Sequence, residues 1–220
     1  GAERRVEEAA REAAARPRLV SAAAVAGPLA YPDPDAVHAE ALRAAPEEAV
    51  PAEARVRVFG GEDRLPERDR PRPMAALIAA ALADAGAKYP HLVVFGEDVA
   101  RRGGVYHATA DLERRLGPAR VFDTMLDETA ILGLAAGAAQ AGLLPVPEIQ
   151  YLAYLHNAED QLRGEACMLP FLSGGTLASP MVVRIASFAD PEGFGGHFHN
   201  DNAIGVLRDI PGIVVAAPSR

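Results

Sequence analysis

The chain has 220 residues, half of them hydrophobic, and a formal charge of −8, so it can bury a sizeable core in one large domain or two small ones. The acidic balance argues against nucleic acid as the main partner and favours small molecules or a basic protein. The single Cys167 rules out an intrachain disulfide framework, and because no apolar run approaches the ~20 residues that cross a bilayer, we expect a cytoplasmic protein without a membrane partner.

The first 72 residues are predicted to be helical or extended. Residues 3–16 are rich in Ala, Glu and Arg and are predicted to form a helix that Pro17 ends. A second helix is predicted over residues 35–45, between two prolines. Prolines and charges dominate residues 46–73, around a short strand candidate at residues 56–59, which indicates a linker or an extended arm.

A regular alternation of helices and strands begins at residue 74. The predicted helices cover residues 74–86, 109–116 with Thr109 as a possible cap, 127–141 with Asp127 as the cap, and 154–171. The predicted strands cover residues 91–96, 121–124, 143–149, 181–186 and 212–219. This spacing predicts an α/β fold: a mostly parallel twisted sheet flanked by helices, preceded by the helical or extended N-terminal segment.

Polar and aromatic side chains follow two of the predicted strands. Asp123 ends one strand, and a short turn then brings Glu128 to the start of a helix. Glu148 and Gln150 end the next strand, and Tyr154 lies just beyond it. Ligands of open α/β sheets bind outside the carboxyl ends of the strands. We therefore expect a carboxylate, an amide and an aromatic ring to face a ligand at this edge.

Six short blocks, in this order along the chain, resemble the β subunit of the 2-oxo acid dehydrogenases, the decarboxylating first component that uses thiamine diphosphate. The blocks are FGEDV at 95–99, GGVY at 103–106, VFDT at 121–124, EIQ at 148–150, SGG at 173–175 and GGHFH at 195–199. The resemblance covers residues 73–220 and implies a thiamine diphosphate-binding fold of the pyrimidine-domain type. It implies that residues 1–72 are the tail of an α subunit and a linker, so we expect an internal piece of an α–β fused chain.

The resemblance implies that Glu128 is catalytic and also binds the cofactor. In the family, the glutamate at this position hydrogen-bonds the ring nitrogen of the aminopyrimidine, which activates the cofactor that carries the chemistry. From its position alone, Glu128 is more simply an ordinary first-turn acid that interacts with the helix dipole. Leu126 matches a residue whose backbone carbonyl accepts a hydrogen bond from the aminopyrimidine amine.

Gln150, Tyr154 and His199 complete the implied site. Gln150 and Tyr154 match residues that line the aminopyrimidine pocket and the diphosphate side, although the residues alone also allow a strand-end amide and a core aromatic. His199 matches a catalytic histidine that contacts the substrate carboxylate or the lipoyl group; the alternative is a loop histidine with local hydrogen bonds. We predict no metal site at His197 and His199, because no further ligands lie at a convincing spacing.

The chain departs from the family pattern in two places. Residues 125–127 read Met-Leu-Asp where the family usually has Pro-Ile-Ser or Pro-Leu-Cys, so Asp127 either adds a charge beside the glutamate or caps the helix. Residues 200–202 read Asn-Asp-Asn instead of Ser-Gln-Ser, which can change the hydrogen bonds around the histidine. The Glu97-Asp98 pair is expected to be structural and to shape the turn after its strand.

Part of the implied cofactor site lies outside this sequence. The chain has no Gly-Asp-Gly motif with a downstream Asn, the family's grip on magnesium and diphosphate, so an α-type domain or subunit should hold magnesium. The other expected partners are further copies in a homo- or hetero-oligomer and a lipoyl-bearing acyltransferase, and the chain alone should have no turnover. Two alternatives stay open: a transketolase-like thiamine enzyme, and a non-catalytic assembly module that keeps this fold.

Overall fold

The structure covers most of the chain beyond residue 50. A computed structural model describes residues 1–18, 20–26, 35, 50–68, 72–188 and 195–218. Apart from Asp35, the predicted helix over residues 35–45 lies outside the described residues. Within the described ranges, none of the helices combines the length and the apolar character that crossing a bilayer requires.

Four parallel strands form one sheet, which confirms the predicted α/β fold. The strands are β1 (Leu92–Gly96), β2 (Val121–Asp123), β3 (Leu144–Ile149) and β4 (Arg184–Ile185). Their order across the sheet is β2-β1-β3-β4. Gly96 pairs with Asp123 on one side and with Glu148 on the other. The carboxyl ends of three strands therefore meet at one edge.

Helices flank the sheet and also occupy the N-terminal segment. They are α1 (Ala2–Ala15), α2 (Ala22–Ala26), α3 (Ala52–Phe59), α4 (Met74–Lys88), α5 (Leu112–Leu116), α6 (Glu128–Gln140), α7 (Leu152–Leu155), α8 (Leu169–Leu172), α9 (Gly196–His199) and α10 (Gly205–Arg208). Three-ten turns cover Glu62–Arg64, Pro66–Arg68 and Val105–His107, and a π-helical turn covers Gln161–Ala166. The helices predicted over residues 3–16, 74–86 and 127–141 are confirmed, with small differences at their ends.

The sheet is buried on both faces because side chains alternate along β1. Val93 and Phe95 belong to a cluster that includes Leu132 of α6. Leu92 and Val94 belong to a second cluster, on the other face, with side chains of α3, α4 and α5. The two clusters give a layered core in which α6 lies on one face of the sheet and α4 lies on the other.

Residues 56–59 are helical, so the strand predicted there was wrong. Helix α3 begins after Pro51 and ends at Gly60, which caps it in the left-handed region with φ 82°. Phe59 is 5% exposed and packs in the core cluster of α4. These four residues contain a single alternation of apolar and charged side chains. A segment this short does not distinguish the two-residue period of a strand from the 3.6-residue period of a helix.

Arg55 fastens this segment to the domain, so the described part of the predicted linker is not a free arm. Its guanidinium donates to Asp84 of α4 at 2.6 and 3.0 Å and to Glu67 at 2.8 and 2.9 Å. The hydrogen bonds from Arg55 lower the pKa of Glu67 to about 2. Bidentate pairs of this kind fix geometry as well as charge.

The single helix predicted over residues 154–171 is broken into three pieces. Helix α7 ends at Leu155, and the backbone N–H of Cys167 then donates to the carbonyl of Leu162 at 2.8 Å, five residues back, as in a π-helix. Pro170 has no N–H to donate, so the last piece, α8, starts anew around it.

The sheet ends earlier than the sequence predicts. Only Arg184–Ile185 pair in the region of the strand predicted over residues 181–186, and residues 213–218 form no strand. The carbonyl of Pro145 accepts from the N–H of Val182 at 3.1 Å, so Pro145 faces β4 with the side on which its own N–H is missing. The same holds for Pro147 two residues on, and this loss of donors shortens the ladder to β4.

Helix α5 starts three residues later than predicted, and Thr109 is not its cap. The Thr109 side chain is fully buried, and its hydroxyl donates to the backbone carbonyl of Val99 at 2.7 Å. The helix begins after Asp111 and stops at Gly117, as the sequence predicts for its end. Thr109 therefore holds the loop that precedes the helix.

Candidate functional site

A cleft opens at the carboxyl edge of the sheet. It has a volume of about 270 Å³, and the residues that line it are Glu97, Leu126, Glu128, Gln150, Tyr154 and Asn157. The structure thus brings all four predicted cofactor-binding residues to one cavity, although they lie on separate elements. A larger groove of about 540 Å³ lies beside α10, is lined mainly by aliphatic side chains and contains none of the predicted site residues.

Glu128 is the first residue of α6 and lies half-buried on the cleft wall. The side chain of Asp127 caps this helix by accepting a hydrogen bond from the N–H of Ala130 at 3.0 Å. Asn157 Nδ2 donates weakly to Glu128 Oε2 at 3.5 Å, and Thr129 Oγ1 donates to the carbonyl of Asn157 at 2.9 Å. Asp127 is thus a helix cap, and Asn157, which the sequence reasoning missed, lies against the glutamate from the turn after α7.

Glu97 is a second carboxyl group in the cleft. Burial raises the pKa of Glu97, and the charges of Asp98 and Glu128 raise it further, while Arg102 acts in the opposite direction. Asp98 does shape the turn, because its backbone carbonyl accepts from the N–H of Gly104 at 2.8 Å. The structural role expected for the pair therefore fits Asp98 but leaves out Glu97. The position of Glu97 directly after β1 was the sequence signal for a place in the cleft, since β1 ends at the same edge of the sheet as β2 and β3.

Leu126 and Gln150 contribute different surfaces to the cleft. The Leu126 side chain is 71% exposed, and its backbone carbonyl accepts no hydrogen bond from any residue that the structure describes. Gln150 directly follows the last residue of β3 and is half-buried. A carbonyl acceptor and a side-chain amide thus line the same cavity as Glu128.

His199 reaches the cleft through Tyr154. The Tyr154 hydroxyl lies 2.7 Å from His199 Nε2, and His199 Nδ1 lies 3.1 Å from the carbonyl oxygen of Gly195. Since the carbonyl can only accept, these contacts fit a ring that donates from Nδ1 and accepts the tyrosine proton at Nε2. A Cβ at Gly195, where φ is +87°, would lie 2.2 Å from Nδ1, so only glycine allows the ring this close. We call residues 195–204 the His199 segment.

An aromatic surface borders the cleft, and sequence reasoning did not identify it as a unit. The Tyr151 ring makes edge contacts with Tyr106, Tyr154 and His199 at centroid distances of 6.3, 6.0 and 5.0 Å. Phe198 packs on Tyr154 at 5.6 Å and is 51% exposed. Burial and a hydrogen bond with Tyr106 raise the pKa of Tyr151 to about 12. The cleft therefore has an apolar rim beside its carboxyl groups.

Glu148 does not line the cleft but fixes neighbouring parts of the chain. It is 2% exposed, accepts from the N–H of Val105 at 3.2 Å through Oε1 and pairs with the Arg184 guanidinium through Oε2. Gly104, at φ +66°, lies so close that a Cβ would be 2.7 Å from Glu148 Oε1 and from Thr109 Oγ1. Glu148 thus ties β3, β4 and the loop after β1 together.

Comparison with known proteins gives one family and a group of similar proteins. Residues 71–220 match the family described as "Transketolase, pyrimidine binding domain". Over 131 residues the chain is 42% identical to the pyruvate dehydrogenase E1 component subunit beta of Staphylococcus epidermidis and 40% identical to that of Staphylococcus aureus. In both cases the match covers 58% of this chain and 39% of the relative. The chain thus spans about two fifths of the length of the curated relatives that it matches.

Proposed function

Because the chain belongs to the transketolase pyrimidine-binding domain family, we propose that its cleft binds the aminopyrimidine ring of thiamine diphosphate as part of a 2-oxo acid dehydrogenase. The observation that carries the proposal is the single cavity lined by Leu126, Glu128, Gln150 and Tyr154. The similarity to pyruvate dehydrogenase E1 beta subunits favours oxidative decarboxylation of a 2-oxo acid, with the acyl group passing to a lipoyl group, over other thiamine-dependent reactions.

The residues in the cleft fit one half of this cofactor. An aminopyrimidine presents a flat ring, a ring nitrogen and an amine, and the cleft offers a carboxyl group at Glu128, an open carbonyl at Leu126 and the Tyr154 ring. A volume of about 270 Å³ lies below the usual range of roughly 300–1,000 Å³ for whole-ligand pockets. The cleft therefore suits the ring, and the diphosphate with its magnesium is assigned to the α-type part.

The chain's own contribution to the reaction is proton handling and orientation. Thiamine diphosphate, when bound, supplies the electron sink for decarboxylation. Glu128 exchanges a proton with the ring nitrogen, and the carbonyl of Leu126 orients the amine. Burial and the charges of Asp98 and Glu128 raise the pKa of Glu97, so this carboxyl group holds its proton to higher pH than a solvated glutamate does.

His199 and the aromatic surface are proposed to meet the substrate. His199 lies at the cleft rim on Tyr154, at 2.7 Å, where an imidazole can bind a substrate carboxylate or the incoming lipoyl group. Tyr106 and Phe198 are 60% and 51% exposed at this rim. Aromatic faces at this position exclude water from the reacting group and bind an aliphatic arm.

The proposed partners cover the open side of the site. Met125 and Leu126 are 73% and 71% exposed beside the cleft, and Leu134 on α6 is 45% exposed. Leu134 lies between Gly133 and Gly137, and a Cβ at either glycine would have no heavy atom of the described chain within 4 Å beyond its chain neighbours and the backbone of its own helix. An α-type domain or subunit packed on this side would bury them and complete the cofactor site. In this proposal residues 1–72 are an α-type tail and linker, residues 73–220 are the pyrimidine-binding domain, and the assembly is an oligomer that serves a lipoyl-bearing acyltransferase in the cytoplasm.

Calorimetric titration of thiamine diphosphate with magnesium, together with an assay of 2-oxo acid turnover, tests the proposal. It is run on this chain alone and on the longest native chain, each as wild type, Glu128→Gln and Glu53→Gln. Glu53 is an exposed first-turn glutamate of α3 and serves as the matched control. We expect binding only in the longer chain and a roughly 10²–10⁴-fold loss of 2-oxo acid turnover in Glu128→Gln alone, the usual size of a general acid–base contribution.

Other outcomes of the titration and the turnover assay separate the alternatives. Wild-type turnover by Glu128→Gln, or turnover by the 220-residue chain alone, would contradict the proposal. Absence of binding in both chains would favour a non-catalytic assembly module. Turnover of ketose phosphates instead of 2-oxo acids would favour a transketolase-like enzyme, which the family match itself also allows.

A further inference from the structure

His156 lies between two carboxylates that belong to different parts of the chain. Its Nε2 is 3.5 Å from Oδ2 of Asp201, and its Nδ1 is 3.9 Å from Oε2 of Glu159. Glu159 lies on the same turn as His156, whereas Asp201 belongs to the His199 segment. Among the described residues, these two carboxylates are the acids within ion-pair distance of the imidazole. His156 therefore joins the turn after α7 to the His199 segment.

Asp201 is held on three sides. Its Oδ1 accepts from the N–H of Ala203 at 2.9 Å, which closes a local turn, and its backbone carbonyl accepts from Ser187 Oγ at 3.4 Å. His156 provides the third contact, through Oδ2. The first contact shapes the segment internally, whereas the other two attach it to its neighbours. Of those two attachments, only the one to His156 depends on charge.

The turn after β3 contacts the His199 segment at two successive points. Tyr154 contacts His199, and His156 contacts Asp201, which lies two residues further along the segment, as His156 does relative to Tyr154. The contact of His156 with Asp201 adds a charged attachment to the aromatic contacts that Tyr151 and Tyr154 make with the segment. The direction of the segment decides where the His199 ring lies relative to the cleft.

We propose that His156 and Asp201 are positioning residues that hold the His199 segment against the cleft. The inference rests on the proposed function insofar as His199 meets the substrate. The side chains of His156 and Asp201 are 45% and 27% exposed. Partly exposed ion pairs change a population by about two- to fivefold, so the contact adjusts the segment and does not lock it.

Hydrogen exchange measured by mass spectrometry tests the proposal in the longest native chain. Protection of peptides from residues 195–204 is compared in the wild type, Asp201→Asn, His156→Gln and the double variant. Asparagine keeps the acceptor for Ala203 but loses the charge. We expect each single variant to lose about two- to fivefold protection, and the double variant to lose no more than the singles. Glu159→Gln should have a smaller effect, since its contact stays within one turn.

The readout separates this inference from the proposed function, because it needs neither cofactor nor turnover. Equal protection in the wild type and Asp201→Asn, or losses in the two single variants that add in the double variant, would overturn the positioning role. In the assembled enzyme, Asp201→Asn should raise KM for the 2-oxo acid while changing kcat less. If the exchange result holds but KM does not respond, then the contact exists and the assignment of His199 to the substrate is the step that fails.

Discussion

Two loops border the cleft, and they are held by different kinds of contact. The first, which we call the Glu148-anchored loop (residues 97–111), is fixed by Glu148 and Thr109, which are 2% and 0% exposed and bind its backbone groups. The second is the His199 segment, which is fixed by Tyr154 and His156, and neither of these side chains is fully buried. One side of the site is therefore built into the core, whereas the other rests on its surface.

Backbone conformation shows the same difference. The Glu148-anchored loop contains four non-glycine residues with positive φ: Asp98, Tyr106, His107 and Asp111. Each costs of the order of 1–3 kcal/mol, and such residues persist only where the surroundings hold them firmly. In the described part of the His199 segment, positive φ occurs only at glycines. A strained loop needs buried anchors, while an unstrained segment can be positioned by weaker, adjustable contacts.

The largest effect is expected from removing the charge of the buried anchor. Glu148→Gln keeps an acceptor for the N–H of Val105 but leaves the largely buried Arg184 side chain, which is 20% exposed, without its counter-charge. Breaking one partner of a buried pair costs about 3–5 kcal/mol, and we expect this loss in the free energy of unfolding measured in urea.

A double variant serves as the control for this anchor. Replacing Glu148 and Arg184 together with Leu and Met removes the pair without leaving a lone buried charge, so most of the stability should return. A loss below about 1 kcal/mol in Glu148→Gln would mean that the buried side is not anchored by charge.

A smaller effect is expected from crowding the same loop. Gly104→Ala places a methyl group 2.7 Å from Glu148 Oε1 at a φ of +66°. Gly142→Ala is the matched control, because Gly142 has φ +85° and nothing within 4 Å of its Cβ position. Both should lose the roughly 1–2 kcal/mol of a left-handed non-glycine residue, and Gly104→Ala should lose more. Equal losses would show that the loop yields to the added methyl group.

The helix and the strand ends that border the cleft are the parts of the molecule that the sequence predicts best. Helix α6, its cap Asp127 and the strand ends around the cleft depend on local patterns of caps, glycines and apolar periods, and they were predicted in place. Glu128 and Tyr154 could then be placed at one edge, because parallel strands share their carboxyl ends.

The adjustable side could not be predicted, because its contacts are not local. Tyr154 and His199 are 45 residues apart, and no periodicity links a turn after one strand to a segment after another. The pair of His156 and Asp201 has the same separation. The strand predicted over residues 213–218 is missing for a related reason, since a β strand forms only where a neighbouring strand offers a ladder, and these residues pair with none of the four described strands.

On the adjustable side, Tyr154→Phe removes the hydrogen bond to His199 while keeping the ring contacts with Tyr151 and Phe198. A single hydrogen bond of this kind contributes about 0.5–1.5 kcal/mol. We expect a loss of that size in the protection of residues 195–204 from hydrogen exchange, and little change in global unfolding. A global loss as large as that of Glu148→Gln would abolish the distinction between the two sides.

The smallest effect concerns Glu97, the carboxyl group that begins the buried side. Burial raises its pKa above the ordinary value of 4.5, so the folded protein holds this proton to higher pH than the unfolded chain does. Its contribution to stability is then complete below pH 4.5 and is lost as the pH rises through the raised pKa. We expect the Tm of Glu97→Gln, compared with wild type, to improve from pH 4 to pH 8, whereas the exposed control Glu53→Gln shows no such trend. A Tm difference that stays constant from pH 4 to pH 8 would mean that Glu97 is as well solvated as a surface acid. The side of the site that Glu97 begins would then be no better buried than the His199 segment.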